Sequence, residues 1–308
     1  MSERYDFHTH TVASDGSLTP TELVRAAAAN GVTAFALTDH DTIDGIAEAQ
    51  AEASRLGIEL IAGIEISVNE QDGARSLHVL GLGLSPENPV LRTRLEQARH
   101  ERRTRAARMV ARLQEAGVAI ELSDVEAIAA GGSVGRPHLA RALVDLGVCR
   151  DADEAFVKYL RRGRPGYEPY AAFSAREAIA LVHGAGGVAV LAHPPLSSGV
   201  DAPGGIEAFV ERLLPDGLDG LEIWHPGHKP GQIRRLRRLA REHDLLETGG
   251  SDFHGDDRPG IEIGRGRAGG LRIGRPVYDA FRARLDSSRR AARELTLSGP
   301  ESNLGRPS

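Results

Sequence analysis

The 308-residue chain has one cysteine, Cys149, so it forms no internal disulfide and fits a reducing compartment. No apolar run approaches the roughly 18 residues of a membrane span. Ser2-Glu3-Arg4-Tyr5-Asp6 does not read as a signal peptide. Excess positive charge is lacking too: the net charge is -5 and the pI is near 6.2, which gives no bulk attraction to nucleic acid. An anionic substrate then has to be recognised locally, by arginines or metals. There is no Gly-x-Ser-x-Gly elbow and no Gly-x-x-x-x-Gly-Lys-Ser/Thr loop, so covalent serine catalysis and triphosphate cradling both lack support. No repeat of fixed period is evident. These absences predict a soluble, cytoplasmic protein whose partners include neither membrane nor long duplex nucleic acid.

What is present is organised around Phe7 to Gly16, Phe-His-Thr-His-Thr-Val-Ala-Ser-Asp-Gly. Residues two apart on a strand point to the same face, so a short strand from Tyr5 aims His8 and His10 together beyond its carboxyl end. Asp15 follows on a turn. Four later apolar runs end in the same residue types: Ala34 to His40, Ile58 to Glu65, Val188 to His193, and Leu246 to His254 with Asp252. A further one, Ser76 to Gly83, carries His78 inside the run rather than after it. In a parallel barrel the carboxyl ends of the strands share one face, where active sites lie. The recurrence predicts a site assembled from many strands.

Helices separate these runs, which favours a parallel sheet. Thr19-Pro20-Thr21-Glu22 opens one helix with cap-like chemistry, and Asp44 to Leu56 is a second, stopped by Gly57. The alternation breaks after Gly83. The expected organisation is α/β, with a barrel over 1–88 and 170–286 and a helical insertion over 89–169. Within the insertion a long helix runs from Leu91 to Ala116. Pro276 to Leu285 is expected to close the barrel, and 287–308 to form a frayed tail.

Six histidines (His8, His10, His40, His78, His193, His254) and three acids (Asp15, Glu65, Asp252) are enough for two or three divalent ions. Imidazole and carboxylate suit Mn, Zn or Fe, with Mg a further possibility. A carboxylate such as Glu65 can bridge two ions, and ions about 3.5 to 4 Å apart clamp the attacking and leaving oxygens of a displacement at phosphorus. An ion-bound hydroxide is the expected nucleophile. Asp39 and Asp41 read as supporting or capping groups rather than ligands, with Asp39 able to orient an imidazole. His225, after another strand end, is a candidate for protonating the leaving oxygen.

The set His8-Thr9-His10, Ser14-Asp15-Gly16, Thr38-Asp39-His40-Asp41, Gly63-Ile64-Glu65, His78, Ala192-His193-Pro194 and Ser251-Asp252-Phe253-His254 resembles the polymerase and histidinol phosphatase (PHP) family. Gly135-Arg136-Pro137-His138 on the insertion is similar to the branch of nucleoside 3',5'-bisphosphate phosphatases and short-substrate 5' to 3' exoribonucleases. The resemblance implies a distorted seven-stranded βα barrel. It further implies one ion on His8, His10, Glu65 and Asp252, a second on Glu65, His78 and His193, and a third on Asp15, His40 and His254, Mn foremost. The implied activity is hydrolysis of the 3'-phosphate of a nucleoside 3',5'-bisphosphate, extending to short 5'-phosphorylated oligoribonucleotides. A histidinol-phosphate-like hydrolase is the alternative enzyme, and a polymerase-associated module the non-enzyme alternative.

Specificity is expected in the insertion. Leu91, Leu95, Ala98, Ala106, Met109 and Leu113 form an apolar stripe at helical spacing, with Arg102 in its gap and Arg99 three residues earlier. Ser133-Val134-Gly135-Arg136 runs into a helix with Pro at its start, whose free N-H groups favour a phosphate. Arg99, Arg102, Ser133, Arg136 and His138 are the residues expected to bind the phosphate that is not cleaved.

Overall fold

The computed structural model describes residues 3–70, 75–170, 173–197 and 205–297. In chain order the elements are β1 Tyr5–Asp6, α1 Pro20–Ala29, β2 Ala34–Leu37, α2 Ile46–Leu56, β3 Glu59–Glu70 and β4 Arg75–Leu82. The insertion follows with α3 Pro89–Glu115, α4 Leu122–Ala129, α5 Arg136–Asp145, α6 Ala152–Ala155 and a π-helical turn Phe156–Leu160. The barrel resumes with α7 Ala175–Gly184, β5 Val188–Ala192, α8 Gly205–Leu213, β6 Gly220–Trp224, α9 Pro230–Glu242, β7 Leu246–Gly249 and α10 Arg275–Leu297.

Seven strands form one sheet in the order β1 to β7. All pairs are parallel except those made by β4, which runs against both β3 and β5. The sheet curls until its ends meet, with Phe7 N-H donating to Gly249 O at 3.1 Å and Asp252 N-H to His8 O at 3.0 Å. The expected seven-stranded α/β barrel is therefore present, and the reversed strand is its distortion. That reversal explains the place of His78. The site end of an antiparallel strand is its amino end, so β4 delivers its histidine early, before the apolar run is complete.

The strand pattern positions the core on both faces. Ala34 and Ala36, Leu80 and Leu82, Val188 and Val190 point into the barrel with Tyr5, Phe7 and Leu246. Phe35 and Leu37 point outward against Leu23, Val24 and Ala27 of α1. Burial on both faces is why these strands read as near-continuous apolar runs. Helix α1 starts as its sequence suggests: the Thr19 side chain accepts from Glu22 N-H while Glu22 reaches back to the Thr19 backbone, a capping box. The far end of the barrel is stoppered by Phe281 and Leu285 of α10, which join the interior cluster.

The closing helix does not end near Leu285. It continues to Leu297, where a frayed tail from Ser287 was expected. Arg289-Arg290-Ala291-Ala292-Arg293-Glu294-Leu295 is composed of strong helix formers, which outweigh the Ser287-Ser288 pair. The remainder of that segment, 298–308, lies outside the described residues. Helix α3 is shared. Leu91, Leu95 and Ala98 pack on the barrel side, whereas Met109, Val110 and Leu113 join Ile120, Val125, Leu139 and Leu143 in a separate core.

Candidate metal centre

The site lies beyond the ends of β1, β2, β5 and β7, against the middle of β3, which carries Glu65, and the first half of β4, which carries His78. Glu65, 1% exposed, is at its middle. Its two oxygens face different partners. Oε2 lies 3.1 Å from His8 Nε2, 3.2 Å from His10 Nε2 and 3.2 Å from His40 Nδ1. Oε1 lies 2.7 Å from His78 Nδ1 and 2.9 Å from His193 Nε2. Asp252 adds Oδ1 at 3.5 Å from His8 Nε2 and 3.2 Å from His10 Nε2. Asp15 is flanked by His254 Nε2 at 3.4 Å, His10 Nδ1 at 3.8 Å and His40 Nε2 at 3.8 Å.

Among the described residues, donor atoms gather within 4.8 Å of one another in three groups: His8, His10, Glu65 and Asp252; His10, Asp15, His40 and His254; and His40, Glu65 and His78. The first matches the set implied for one ion. The second adds His10 to the set implied for another. The third departs from expectation, with His40 beside His78 in place of His193. His193, just after the neighbouring strand β5, reaches the same Glu65 oxygen as His78.

The structure tests whether these residues fit metal ions. Both His10 nitrogens, His40 Nδ1, His78 Nδ1 and His254 Nε2 are buried and make no aligned hydrogen bond among the described residues, although carboxylate oxygens lie close by. Orphaned donors of this kind are costly unless they share a partner. Imidazoles and carboxylates converging on common points, without thiolate, suit a hard to borderline divalent cation. The fit is good.

Proton affinities carry the same signature. Burial acts to lower His8 and His10, yet Glu65 and Asp252 outweigh it, raising His8 well above its ordinary value and His10 to about 9. Burial acts to raise Glu65, but His40, His78 and His8 hold it well below the usual carboxylate range. For Asp252 the opposing groups are Arg258, His254 and His8. Burial wins at His40, which is lowered well below an ordinary imidazole. Protons held among anionic carboxylates are what a bound cation displaces.

Two features fix the geometry. His193 has φ 29° and Asp252 φ 51°, left-handed conformations that non-glycine residues rarely adopt and that cluster at functional sites. Gly250 permits the closest approach, because a Cβ there would lie 2.2 Å from His8 Cβ. The supporting hydrogen bonds came from residues that periodicity does not single out. Glu222 on β6 accepts from His8 Nδ1 at 3.0 Å and from His193 N-H at 2.7 Å. It is fully buried, and against the raising effect of burial His8 holds it down to about 2. Such a carboxylate fixes the tautomer and aim of a ligating imidazole. Glu222 sits inside an apolar run, and a buried acid in that position was the available signal.

Of the two supporting roles open to Asp39, aiming an imidazole or capping, the hydrogen bonds show the second: it accepts from Thr11 N-H at 2.7 Å, Thr11 Oγ1 at 2.6 Å and Ser14 Oγ at 2.6 Å, so it shapes the turn that carries Asp15. His225 was a candidate acid for the leaving oxygen. Its Nδ1 accepts from Gly227 N-H at 3.0 Å and its Nε2 faces Asp252 Oδ2 at 3.2 Å, which leaves neither nitrogen for a leaving group.

A cleft of about 400 Å³ opens from this centre toward the insertion. Asp15, His40 and His78 line it together with Arg102, Ser133, Arg136 and His138 of the insertion, and Ser133 N-H donates to Ala13 O at 2.9 Å beside the turn that carries Asp15. Arg99 is not with them. Although residues three apart share a helix face, its half-exposed side chain is drawn to Asp44, Nη1 to Oδ2 at 3.0 Å, and Nη2 donates to Gly131 O. Arg102 is largely committed within the protein: Nε donates to Asp41 Oδ2 at 2.7 Å, Nη2 also reaches Asp41 and donates to Ser67 Oγ at 2.8 Å, and Nη1 reaches Val134 O at 3.3 Å. Arg136 has no carboxylate partner among the described residues, and Ser133 Oγ is buried without a hydrogen bond. Sequence reasoning missed Arg105, Tyr170 and Arg258, all cleft residues.

The PHP domain model matches residues 6–117. The 3',5'-nucleoside bisphosphate phosphatase of Chromobacterium violaceum is 37% identical over 91% of this chain and 97% of its own length. This chain belongs to the PHP family. The 5'-3' exoribonuclease Rnm of Escherichia coli is 38% identical over 85% of this chain and 88% of its own. A solved structure from Bifidobacterium adolescentis, whose name proposes a metal-dependent phosphoesterase, superposes with a TM-score of 0.80 at 35% identity, over 92% of this chain and 96% of that one. This PHP protein is a metal-dependent phosphoesterase, a phosphoric ester hydrolase. No helix among its described residues is long and apolar enough to cross a membrane.

Proposed function

We propose that this PHP enzyme hydrolyses the 3'-phosphate of nucleoside 3',5'-bisphosphates, adenosine 3',5'-bisphosphate to AMP for example, and acts also on short 5'-phosphorylated oligonucleotides. The observation that carries the reading is one cleft lined both by candidate metal ligands, Asp15, His40 and His78, and by insertion residues suited to a phosphate, Arg136, Ser133 and the start of α5. A substrate with phosphates at two positions matches that arrangement.

His8, His10, Glu65 and Asp252 would hold one ion, Glu65, His78 and His193 a second, and Asp15, His40 and His254 a third, with Mn favoured over Zn, Fe or Mg. When bound, such ions polarise phosphoryl oxygens and lower the pKa of a water. Glu222 keeps the His8 imidazole aimed inward through its Nδ1. On the insertion wall, Arg136 brings a guanidinium with no carboxylate partner among the described residues, and Ser133 Oγ offers a hydroxyl with no hydrogen bond among them. Helix N-termini with free N-H groups favour phosphate, and arginine forks engage its oxygens bidentately. Arg102 holds this wall in place through Asp41, and His138 closes the loop by accepting from Gly135 N-H at 3.0 Å. Arg161 and Arg162 continue the basic lining of the cleft, which supports room for a following nucleotide.

The deciding experiment is phosphate release from adenosine 3',5'-bisphosphate with added Mn. AMP is the expected product, and turnover should vanish in excess chelator and return when Mn is restored. Turnover that persists in chelator, or no release with any of Mn, Zn, Fe or Mg, would refute the reading.

A further inference from the structure

The loop after β7 brings a positive charge into the cleft on its own account. Arg258 lines the cleft beside Asp15, His40 and His78, and its Nη1 donates to Asp252 Oδ2. His225 Nε2 faces that same oxygen at 3.2 Å, while the other, Oδ1, is turned toward His8 and His10. An arginine serving only to neutralise Asp252 has no reason to stay open. The Arg258 side chain nevertheless keeps 44% of its surface exposed, and a single nitrogen makes its one contact with the protein among the described residues.

The loop is also held rigidly. Gly255 has φ 76°, and a Cβ there would meet Ser17 Oγ at 2.2 Å. Ser17 Oγ donates to His254 O at 3.1 Å and accepts from Asp256 N-H at 2.8 Å. The segment leading to Arg258 is thereby fastened to the turn that follows Asp15, and Pro259 restricts the backbone just after it.

We propose that Arg258 grips the phosphate being cleaved, keeping Nη1 on Asp252 while its remaining N-H groups engage phosphoryl oxygens. The inference rests on the phosphoesterase reading of the centre. A planar guanidinium has five donors in a fixed fork and can serve a carboxylate and a phosphoryl oxygen together. An ammonium cannot reproduce that fork, so lysine is not a substitute. Every substrate carries the phosphate at this end, so loss of Arg258 is felt on all esters, whereas loss of Arg136 is felt only where a second phosphate is present.

The test titrates the Mn-loaded enzyme with inorganic phosphate in a calorimeter, measures Mn content and melting temperature on the same samples, and compares kcat/KM for adenosine 3',5'-bisphosphate and p-nitrophenyl phosphate. Arg258→Ala and Arg258→Lys should keep wild-type Mn and melting temperature, bind phosphate about tenfold or more weakly, and lose kcat/KM on both esters by a similar factor, as expected for a lost charge-assisted contact. Arg136→Ala should lose kcat/KM on the bisphosphate alone. Unchanged phosphate binding in Arg258→Ala overturns the proposal. So does loss of Mn, which would make Arg258 a positioning residue for Asp252. If the wild type binds phosphate and cleaves neither ester, the phosphoesterase reading falls, while the calorimetric comparison still decides Arg258.

Discussion

Arg102 on α3 and Asp41 after β2 form a buried ion pair across the seam between insertion and barrel, with Arg102 Nε 2.7 Å from Asp41 Oδ2. Asp41 is held in turn at φ 51° and accepts from Ser67 N-H at 2.7 Å, so both sides of the seam depend on one carboxylate. Arg102→Ala leaves that carboxylate buried without its opposite charge, with only the neutral donors Ser67 N-H and Tyr170 O-H. Removing one partner of a buried pair costs about 3–5 kcal/mol. Denaturant unfolding should report a loss of that order, and Arg102→Ala combined with Asp41→Asn should recover part of it. An exposed-pair value, below about 1 kcal/mol, would mean that the seam does not rely on the pair.

Glu65→Gln withdraws charge from both groups that its oxygens face. The variant should bind fewer Mn equivalents than Asp252→Asn, which touches one group, and both should lose most turnover while remaining folded. Elemental analysis and circular dichroism on the same preparations check this. Equal Mn content in the two variants would show that Glu65 does not serve both groups.

Arg136→Ala removes the cleft guanidinium at the start of α5. A hydrogen bond to a charged group is worth about 1.5–3 kcal/mol, so kcat/KM for adenosine 3',5'-bisphosphate should fall by roughly one to two orders of magnitude. Turnover of p-nitrophenyl phosphate should change little. An equal loss on both esters would remove Arg136 from recognition of the second phosphate.

His228 supplies a pH dependence of stability. It is buried, its Nδ1 bonds Ile223 O at 2.9 Å, and its Nε2 has no hydrogen bond among the described residues. Burial pushes it down to about 4 from the ordinary 6.5. The unfolded chain therefore takes up a proton near pH 6.5 that the folded chain refuses until about pH 4. The stabilisation is complete above the first value and drains away as pH falls toward the second, by about 3 kcal/mol in all. His228→Asn keeps a donor at the Nδ1 position. Its unfolding free energy should fall less than that of the wild type between pH 7 and pH 4, and parallel curves would contradict the assignment.

Much of the barrel was legible because its strands are buried on both faces and end in residues that apolar runs do not otherwise carry. His8, His10, His40, Glu65, His193 and Asp252 all announce themselves that way. Glu222 does not, since it lies within a strand and its purpose appears only when β6 is placed between β5 and β7, where Glu222 reaches His8 and the His193 N-H. The departures at Arg99 and Arg102 have a common cause. Spacing along α3 shows that a face exists but not which partner waits opposite it, and Asp41 and Asp44 claimed the two arginines. Arg258 was hidden for another reason: it sits on a short irregular loop, where no periodicity points to it.

None of the candidate metal-binding residues lies between Pro89 and Tyr170, the stretch that leaves the barrel after β4 and rejoins it before α7. On the reading proposed above, chemistry and choice of substrate fall in separate stretches of the chain. Substitutions confined to the middle stretch would then remodel what the cleft admits without touching a candidate metal ligand, provided that a cation stays opposite Asp41.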